Sequence, residues 1–196
     1  MSFKIKYLFV LVCAIILFSG CTAKSYVDKK YEDRPSQKVL VSTVPYEVKI
    51  TVEFQRNGEH LEGVDKQLKD SVVSAFKSSG IIPTNVDTKA SIKVICNNVA
   101  NIGGAVSKGI LTGLTLGIAG STVSDYYQIH IEYTNGDTIV QKEYNHAIHS
   151  TIGNASPVYP NVEPVSPNIA FNGVIEDVVL EFIANMRSRN IFLVNP

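Results

Sequence analysis

Residues 124–149 contain the pattern that most constrains the fold, because polar and apolar side chains alternate along them. Alternation with a period of two is typical of a half-buried strand, and Asn135-Gly136 is a strong signal for a two-residue hairpin turn. With these two residues as the turn, Thr134 faces Asp137 across the hairpin. One face of the predicted hairpin is then apolar and carries Tyr127, Ile129, Ile131, Tyr133, Val140, Tyr144 and Ile148. Such a hairpin has to bury this face against other elements.

Further stretches with the character of strands lie on both sides of this hairpin. They cover 38–43, 46–54 and 90–97, and the apolar residues 191–194 are predicted to dock as a short strand. Within 46–54, apolar residues alternate with charged or hydroxyl residues, as expected for a strand with one buried face. Together with the hairpin, these stretches predict an antiparallel sheet.

Two other stretches have the period of an amphipathic helix. The first covers 61–79 and ends at Gly80, the usual carboxyl-cap residue, and the second begins at Ser166-Pro167 and extends to about Ser188. The predicted inner faces carry Leu61, Val64, Leu68, Val72 and Phe76 in the first helix, and Ile175, Val179, Phe182 and Met186 in the second. The predicted fold class is α+β, a single domain with both amphipathic helices packed on one face of an antiparallel sheet.

The amino terminus has the three parts of a secretory signal. Lys4 and Lys6 form a short positive region, an apolar run follows over 7–18, and the small residues Ser19 and Gly20 complete it. The apolar run is too short for a comfortable membrane-spanning helix. We therefore expect residues 1–20 to be a signal peptide that is removed from the mature protein.

The residues that end this signal, Leu-Phe-Ser-Gly-Cys, resemble the bacterial lipobox. That resemblance implies that Cys21 becomes the lipidated amino terminus, and two or three fatty chains make such an anchor effectively permanent. Thr22, rather than aspartate, follows the cysteine, which favours the outer membrane by the same resemblance. The polar residues that follow predict a flexible tether over 21–37 and a periplasmic domain over 38–196. The alternative is ordinary secretion with a free Cys21.

Charge and cysteine content exclude several other classes. The 196-residue chain has 18 basic and 18 acidic residues, so no nucleic-acid partner is indicated. Cys13 leaves with the signal and Cys21 is used for the lipid, so Cys96 is alone and cannot form an internal disulfide. Because Ile92, Val94 and Cys96 fall on one face of the predicted strand 90–97, we expect a buried thiol there rather than a nucleophile.

A glycine-rich apolar segment over 103–121 has three glycines spaced by four, Gly109, Gly113 and Gly117. This spacing allows close approach of helices, so the segment could span a membrane or form a zipper between copies or with a partner. Spanning would separate the flanking strands, which need each other to bury their apolar faces. We therefore expect an apolar crossover packed on the sheet. The long loop 150–168, rich in Pro, Ser and Asn, is the other candidate interaction surface.

The histidines suggest a metal site or hydrolase chemistry, but their spacing gives little support. His146 and His149 are three residues apart, so on a strand they point to opposite faces. The spacing of His, Cys and carboxylate ligands typical of metal sites is missing, and no Ser, His and Asp can be singled out as a hydrolytic set. No catalytic residue, metal ligand or cofactor is therefore predicted. The alternative is a periplasmic metal-binding protein or hydrolase that uses the region of His130, His146 and His149, with Glu143 nearby.

The lipobox, the order of the elements, a Thr115-Leu116-Gly117 run and the later Asp125-x-Tyr127 resemble uncharacterised lipoproteins of Gram-negative bacteria. This resemblance implies location and fold, but no established activity. The leading hypothesis is a non-enzymatic envelope protein, anchored by its lipid to the periplasmic side of the outer membrane. It is expected to bind another protein or to assemble with itself. A glycine-zipper protein that inserts into the membrane is a further alternative.

Overall fold

The computed structural model describes residues 23–28, 30, 46–84, 88–100 and 120–192. Their elements, in chain order, are strands β1 (Lys24–Val27), β2 (Tyr46–Arg56) and β3 (Glu59–His60), helix α1 (Glu62–Ser78), strands β4 (Ile81–Pro83), β5 (Ala90–Ala100), β6 (Ser121–Asn135) and β7 (Thr138–Ile152), and helix α2 (Pro167–Ser188). Within the described ranges the fold is α+β, with a seven-stranded sheet in the order β1-β7-β6-β5-β2-β3 and β4 paired to β2.

The sheet is mixed, whereas the sequence predicted a purely antiparallel sheet. Strands β1, β7, β6 and β5 pair antiparallel, whereas β2 pairs parallel with both β5 and β4. The cause is helix α1, which lies between β2 and the strands β4 and β5 that pair with it. A helix in this position carries the chain back across the sheet, so that the next strand runs in the same direction as the one before.

The central hairpin has the predicted faces but a different turn. Asn135 pairs with Thr138, so the two-residue loop is Gly136–Asp137 and not Asn135-Gly136, and the predicted pairing of Thr134 with Asp137 is wrong. Gly136 has a φ of +57°, as the first loop residue of a type II′ turn requires. The correct register differs from the predicted one by two residues, and a shift of two leaves every side chain on its predicted face.

Both helices pack against the face of the sheet that carries the hairpin's apolar residues. The core includes Val48, Ile50, Ile92, Val94, Cys96, Ile129, Ile131, Tyr133, Val140, Tyr144 and Ile148 from the strands, and Leu68, Val72, Phe76, Ile175, Val179, Phe182 and Met186 from the helices. The predicted inner faces are therefore confirmed except at Leu61, which is 40% exposed just before α1 begins.

The ends of the helices agree with the sequence. Gly80 follows α1 with a φ of +79°, and Ser166 caps α2 by accepting a hydrogen bond from the backbone N–H of Ile169 at 3.4 Å. After α2, Phe192 is buried against the rings of Tyr46 and Tyr133, with centroids 4.9 and 5.3 Å away. The described part of the predicted strand 191–194, residues 191–192, is therefore not a strand and docks through an aromatic contact. Residues 193–196, like the predicted strand 38–43, lie outside the described residues.

Candidate functional site

The segments that the sequence favours as interaction surfaces meet at one end of the sheet, which we call the Lys24 end. Strand β1 begins there at Lys24, which pairs with Thr151 near the end of β7. Strand β5 ends there at Ala100, and β6 begins there at Ser121. The glycine-rich segment therefore leaves the sheet and returns to it at this end. The predicted site residues Cys21, Gly109, Gly113 and Gly117 lie outside the described residues.

Strand β1 corrects the predicted tether over 21–37. Within that range, Lys24–Val27 pair antiparallel with β7, and Tyr26 is only 2% exposed. On the other side of β1, the backbones of Ser25 and Val165 exchange two hydrogen bonds of 2.8 and 3.0 Å. The polar composition of the range suggested flexibility, but one buried aromatic side chain and hydrogen bonds on both edges hold this short strand in the sheet.

A polar cluster lies at the Lys24 end, on the sheet face opposite the helices. It consists of Asp28, Ser124, His149 and Tyr159, and we call it the His149 cluster. Ser124 and His149 are direct partners across β6 and β7, and Ser124 Oγ lies 2.8 Å from His149 Nδ1. The other ring nitrogen, His149 Nε2, lies 3.4 Å from Asp28 Oδ2. The cluster therefore joins the amino-terminal strand, the central hairpin and the long loop after β7.

Hydrogen bonds orient the carboxylate of Asp28. Its Oδ1 accepts from the backbone N–H of Lys30 at 2.9 Å and from the hydroxyl of Tyr159 at 3.2 Å. Burial alone would raise the pKa of Asp28, but these two bonds, the bond from His149 and the charge of His149 outweigh it, so the pKa lies below its usual value. Asp28 is therefore ionised at neutral pH and can only accept hydrogen bonds.

The ionised carboxylate also determines which ring nitrogen of His149 carries the proton. Since Asp28 can only accept, its carboxylate 3.4 Å from His149 Nε2 favours the tautomer that carries the proton on that nitrogen, and in this tautomer Nδ1 accepts the Ser124 hydroxyl proton. The ring of Tyr159 lies edge-on to His149, with centroids 6.1 Å apart, and also contacts Tyr26. The side chains of His149 and Asp28 are 14% and 21% exposed, so the cluster is shielded but still reaches solvent.

The other predicted histidines do not join this cluster. His130 lies on the same sheet face farther along β6, where its Nδ1 is 3.9 Å from Glu143 Oε1. His146 is 2% exposed, and its position in β7 places it on the helix face, opposite His149. Within the described ranges no three His, Cys, Asp or Glu side chains come together to hold a metal ion.

Cys96 lies in the core, as the alternation along β5 predicted. It is fully buried, and burial raises the pKa of its thiol to about 12. A thiol with such a pKa stays protonated at neutral pH, and the protonated form is a poor nucleophile. The expectation of a buried, unreactive cysteine is therefore confirmed.

A groove of about 650 Å³ separates the two helices on the other side of the molecule from the His149 cluster. Its lining mixes polar and apolar surface, and the polar residues include Gln67, Ser71, Asn168, Asn172 and Glu176. Ser71 Oγ donates to Asn172 Oδ1 at 2.8 Å across this groove. The groove is an open seam between parallel helices that are joined across it by hydrogen bonds, and we place the candidate site at the His149 cluster instead.

Sequence reasoning missed three members of the cluster. Asp28 fell within the predicted tether, Tyr159 within the long loop, and Ser124 at the start of an alternating strand. Only His149 was considered, and with different partners. The one usable signal was the long loop itself, because loops of that length without secondary structure are often functional.

Comparisons with solved structures find weak likenesses. An uncharacterised protein shares 8% identity over 76% of this chain and 93% of its own length, with a TM-score of 0.26. A DUF4136 family protein from Bacteroides thetaiotaomicron shares 12% identity over 87% of this chain and 95% of its own, with a TM-score of 0.24. No protein-family model and no curated protein matches the chain.

Replacing Asp28 by asparagine is expected to weaken the dependence of the unfolding free energy on pH in the acid range. Because the folded pKa of Asp28 lies below the unfolded value of about 3.9, its stabilisation is fully present above that pH and is lost as the pH falls through the folded pKa. The difference in unfolding free energy between wild type and Asp28→Asn should therefore shrink from about pH 5 to pH 2. Urea unfolding at each pH measures it, with the exposed Glu163→Gln as control. A difference that stays constant with pH would contradict the assignment.

Proposed function

We propose that this chain is a lipoprotein of the bacterial envelope, acylated at Cys21, whose domain serves as an interaction or assembly module. The module faces the periplasm from the outer membrane. The observation that carries the proposal is the position of β1, which begins three residues after Cys21 and is hydrogen-bonded into the sheet. Three residues span at most about 11 Å, so an acylated Cys21 would hold the Lys24 end close to the bilayer.

The geometry of the sheet supports a definite orientation for the anchored domain. Strand β6 starts at the Lys24 end and is 15 residues long, so the tip of the hairpin lies about 50 Å farther along the strand. With the Lys24 end at the membrane, the hairpin tip and the carboxyl ends of both helices face away from it. No helix within the described residues is long and apolar enough to cross a membrane.

The same end carries the two surfaces that the sequence favours for interaction. Ala100 and Gly120 flank the glycine-rich segment there, and the loop between β7 and α2 begins beside them. A partner that uses these surfaces, whether another protein or a second copy, would meet the domain next to the bilayer. This placement favours an envelope assembly role over a freely diffusing periplasmic one.

The anchor is tested with a Cys21→Ala variant of the full-length chain. We expect this variant to lose all incorporation of labelled palmitate and to move from the membrane pellet to the soluble periplasmic fraction, because nothing then supplies the fatty chains. Cys13→Ala, which alters the apolar run and leaves the lipobox intact, should keep both label and sedimentation. Crosslinked adducts that form in intact cells with the wild type and disappear with Cys21→Ala identify partners that need membrane attachment.

Two results would contradict the proposal. Palmitate label that persists in Cys21→Ala would place the lipid elsewhere. A variant that loses its label yet remains in the membrane after carbonate extraction would show that the protein is held by insertion, as a glycine zipper would be.

A further inference from the structure

We propose that the His149 cluster is a nucleophilic site, in which Ser124 attacks carboxylic esters with His149 as its general base. This activity goes beyond the interaction role and would replace the non-enzymatic expectation drawn from the sequence. The proposal rests on three side chains from two distant parts of the chain that lie in one row, with Ser124 in contact with His149 and His149 in contact with Asp28. It does not depend on the glycine-rich segment.

The first contact in the row joins the nucleophile to its base. Ser124 Oγ lies 2.8 Å from His149 Nδ1, within the range of about 2.6–3.2 Å that direct proton transfer needs. The two residues pair across adjacent strands in the middle of the sheet. Strands fix the position of a side chain more rigidly than a loop does, so this geometry is built into the fold.

The second contact orients the base. Asp28 Oδ2 lies 3.4 Å from His149 Nε2, and Asp28 is itself held by Lys30 N–H and the Tyr159 hydroxyl. A carboxylate in this place fixes the tautomer of the imidazole and stabilises the imidazolium that forms when serine is deprotonated. Asp28 and Tyr159 are therefore positioning residues, while Ser124 and His149 contact the reacting atoms.

The reaction is ester hydrolysis in two steps. Ser124 Oγ forms a bond to the acyl carbon as its proton passes to His149 Nδ1, and the carbon–oxygen bond to the alcohol then breaks. The alcohol leaves with the proton from His149, and the acyl group remains on Ser124. Water next attacks this acyl-serine, gives a proton to His149, and releases the carboxylic acid while the proton returns to Ser124.

The position of the cluster suggests where the ester comes from. His149 pairs with Tyr26, two residues from Lys24, so the cluster lies about 7 Å from the Lys24 end of β1. If that end faces the bilayer, a step that rests on the proposed function, esters of membrane lipids lie within reach. The side chains of His149 and Asp28 are partly exposed, so a substrate can approach them from solvent or from the membrane surface.

The test is covalent labelling of the full-length protein in detergent micelles with a fluorophosphonate probe. Ser124 Oγ should form a bond to phosphorus with loss of fluoride, and mass spectrometry of the digested protein should locate the adduct on Ser124. Ser124→Ala should abolish the adduct, and Asp28→Asn should slow labelling by about 10²-fold or more through loss of oriented general base. Ser91→Ala is the matched control, since Ser91 lies partly exposed on the same sheet face at the far end.

A second readout separates chemistry from folding and distinguishes the two sources of ester. Far-UV circular dichroism should show the same unfolding midpoint in Ser124→Ala and Ser91→Ala within a few degrees. Hydrolysis of p-nitrophenyl octanoate faster than of the acetate would indicate a lipid ester, and the reverse a soluble one. The proposal is overturned if folded wild type gives no adduct, or if the adduct maps to a serine other than Ser124. Failure here leaves the lipid anchor untouched, because acylation at Cys21 is measured separately.

Discussion

Replacing Gly120 by alanine is expected to lower the free energy of unfolding by about 3 kcal/mol or more, because backbone strain and overpacking act together. Gly120 is the last glycine of the glycine-rich segment and has a φ of +66°, which L side chains rarely adopt. A Cβ at this position would lie 2.8 Å from the Cα of Ala155 and closer still to its backbone nitrogen. Backbone atoms cannot relieve this contact by a change of rotamer, so the loop after β7 would have to move. Urea unfolding followed by circular dichroism measures the loss.

The control for this prediction is Gly58→Ala. Gly58 also has a positive φ, +84°, but a Cβ there would meet nothing within 4 Å. Only the strain remains, and we expect a cost of about 1 kcal/mol. The difference between the two variants isolates the contact with Ala155. Equal costs would show that the contact is absent, and with it the support for an internal role at this end of the segment.

The surroundings of Gly120 favour one of the three interpretations of the glycine-rich segment, the apolar crossover, over a membrane span or a zipper. At Gly120 the missing side chain serves the domain itself, since the backbone of the long loop occupies the space that a Cβ would need. That is the role expected of an apolar crossover. Gly109, Gly113 and Gly117 lie outside the described residues, so their role stays a prediction.

Two of the three Asn-Gly pairs in the sequence show how far local turn signals determine register, while the third, Asn172-Gly173, lies within α2. Asn57-Gly58 forms a two-residue turn, with φ of +54° and +84° and pairing of Arg56 with Glu59. Asn135-Gly136 does not, because Asn135 remains in the strand and its Nδ2 lies 3.4 Å from the hydroxyl of Tyr46. That contact joins residues far apart in sequence, so no local pattern could reveal it.

Periodicity identified the strands and helices well, but pairing depends on contacts between distant residues. The alternation along 46–54 and 90–97 was visible, whereas their parallel pairing follows only once α1 is recognised as the connection between them. Strand β1 has four residues, too few for a period to be read. Its place in the sheet is determined by Tyr26 and by hydrogen bonds to β7 and Val165, and none of these is a local property.

Replacing Tyr26 by alanine is expected to release β1 from the sheet and leave the rest of the domain folded. Removal of a buried aromatic side chain typically lowers the free energy of unfolding by about 3–5 kcal/mol. A strand at the sheet edge can respond to such a loss by unfolding locally, without the rest of the domain. The amides of Ser25 and Asp28 donate to Val165 and Ala147 at 2.8 and 2.9 Å. We expect hydrogen exchange at both amides to speed up by roughly 10²-fold, while exchange at the core residue Ile131 stays slow.

The exposed Lys24→Ala is the control for Tyr26→Ala and should leave exchange at Ser25 and Asp28 unchanged. Unchanged exchange in Tyr26→Ala itself would show that this side chain does not hold β1. The variant also separates attachment from orientation in the proposed function. With β1 docked, Cys21 lies within about 11 Å of the sheet, whereas a released chain from Cys21 to Tyr46 can span up to about 90 Å. Tyr26→Ala should therefore keep its palmitate and stay in the membrane, yet lose any partner contact that requires the Lys24 end to be held at the bilayer.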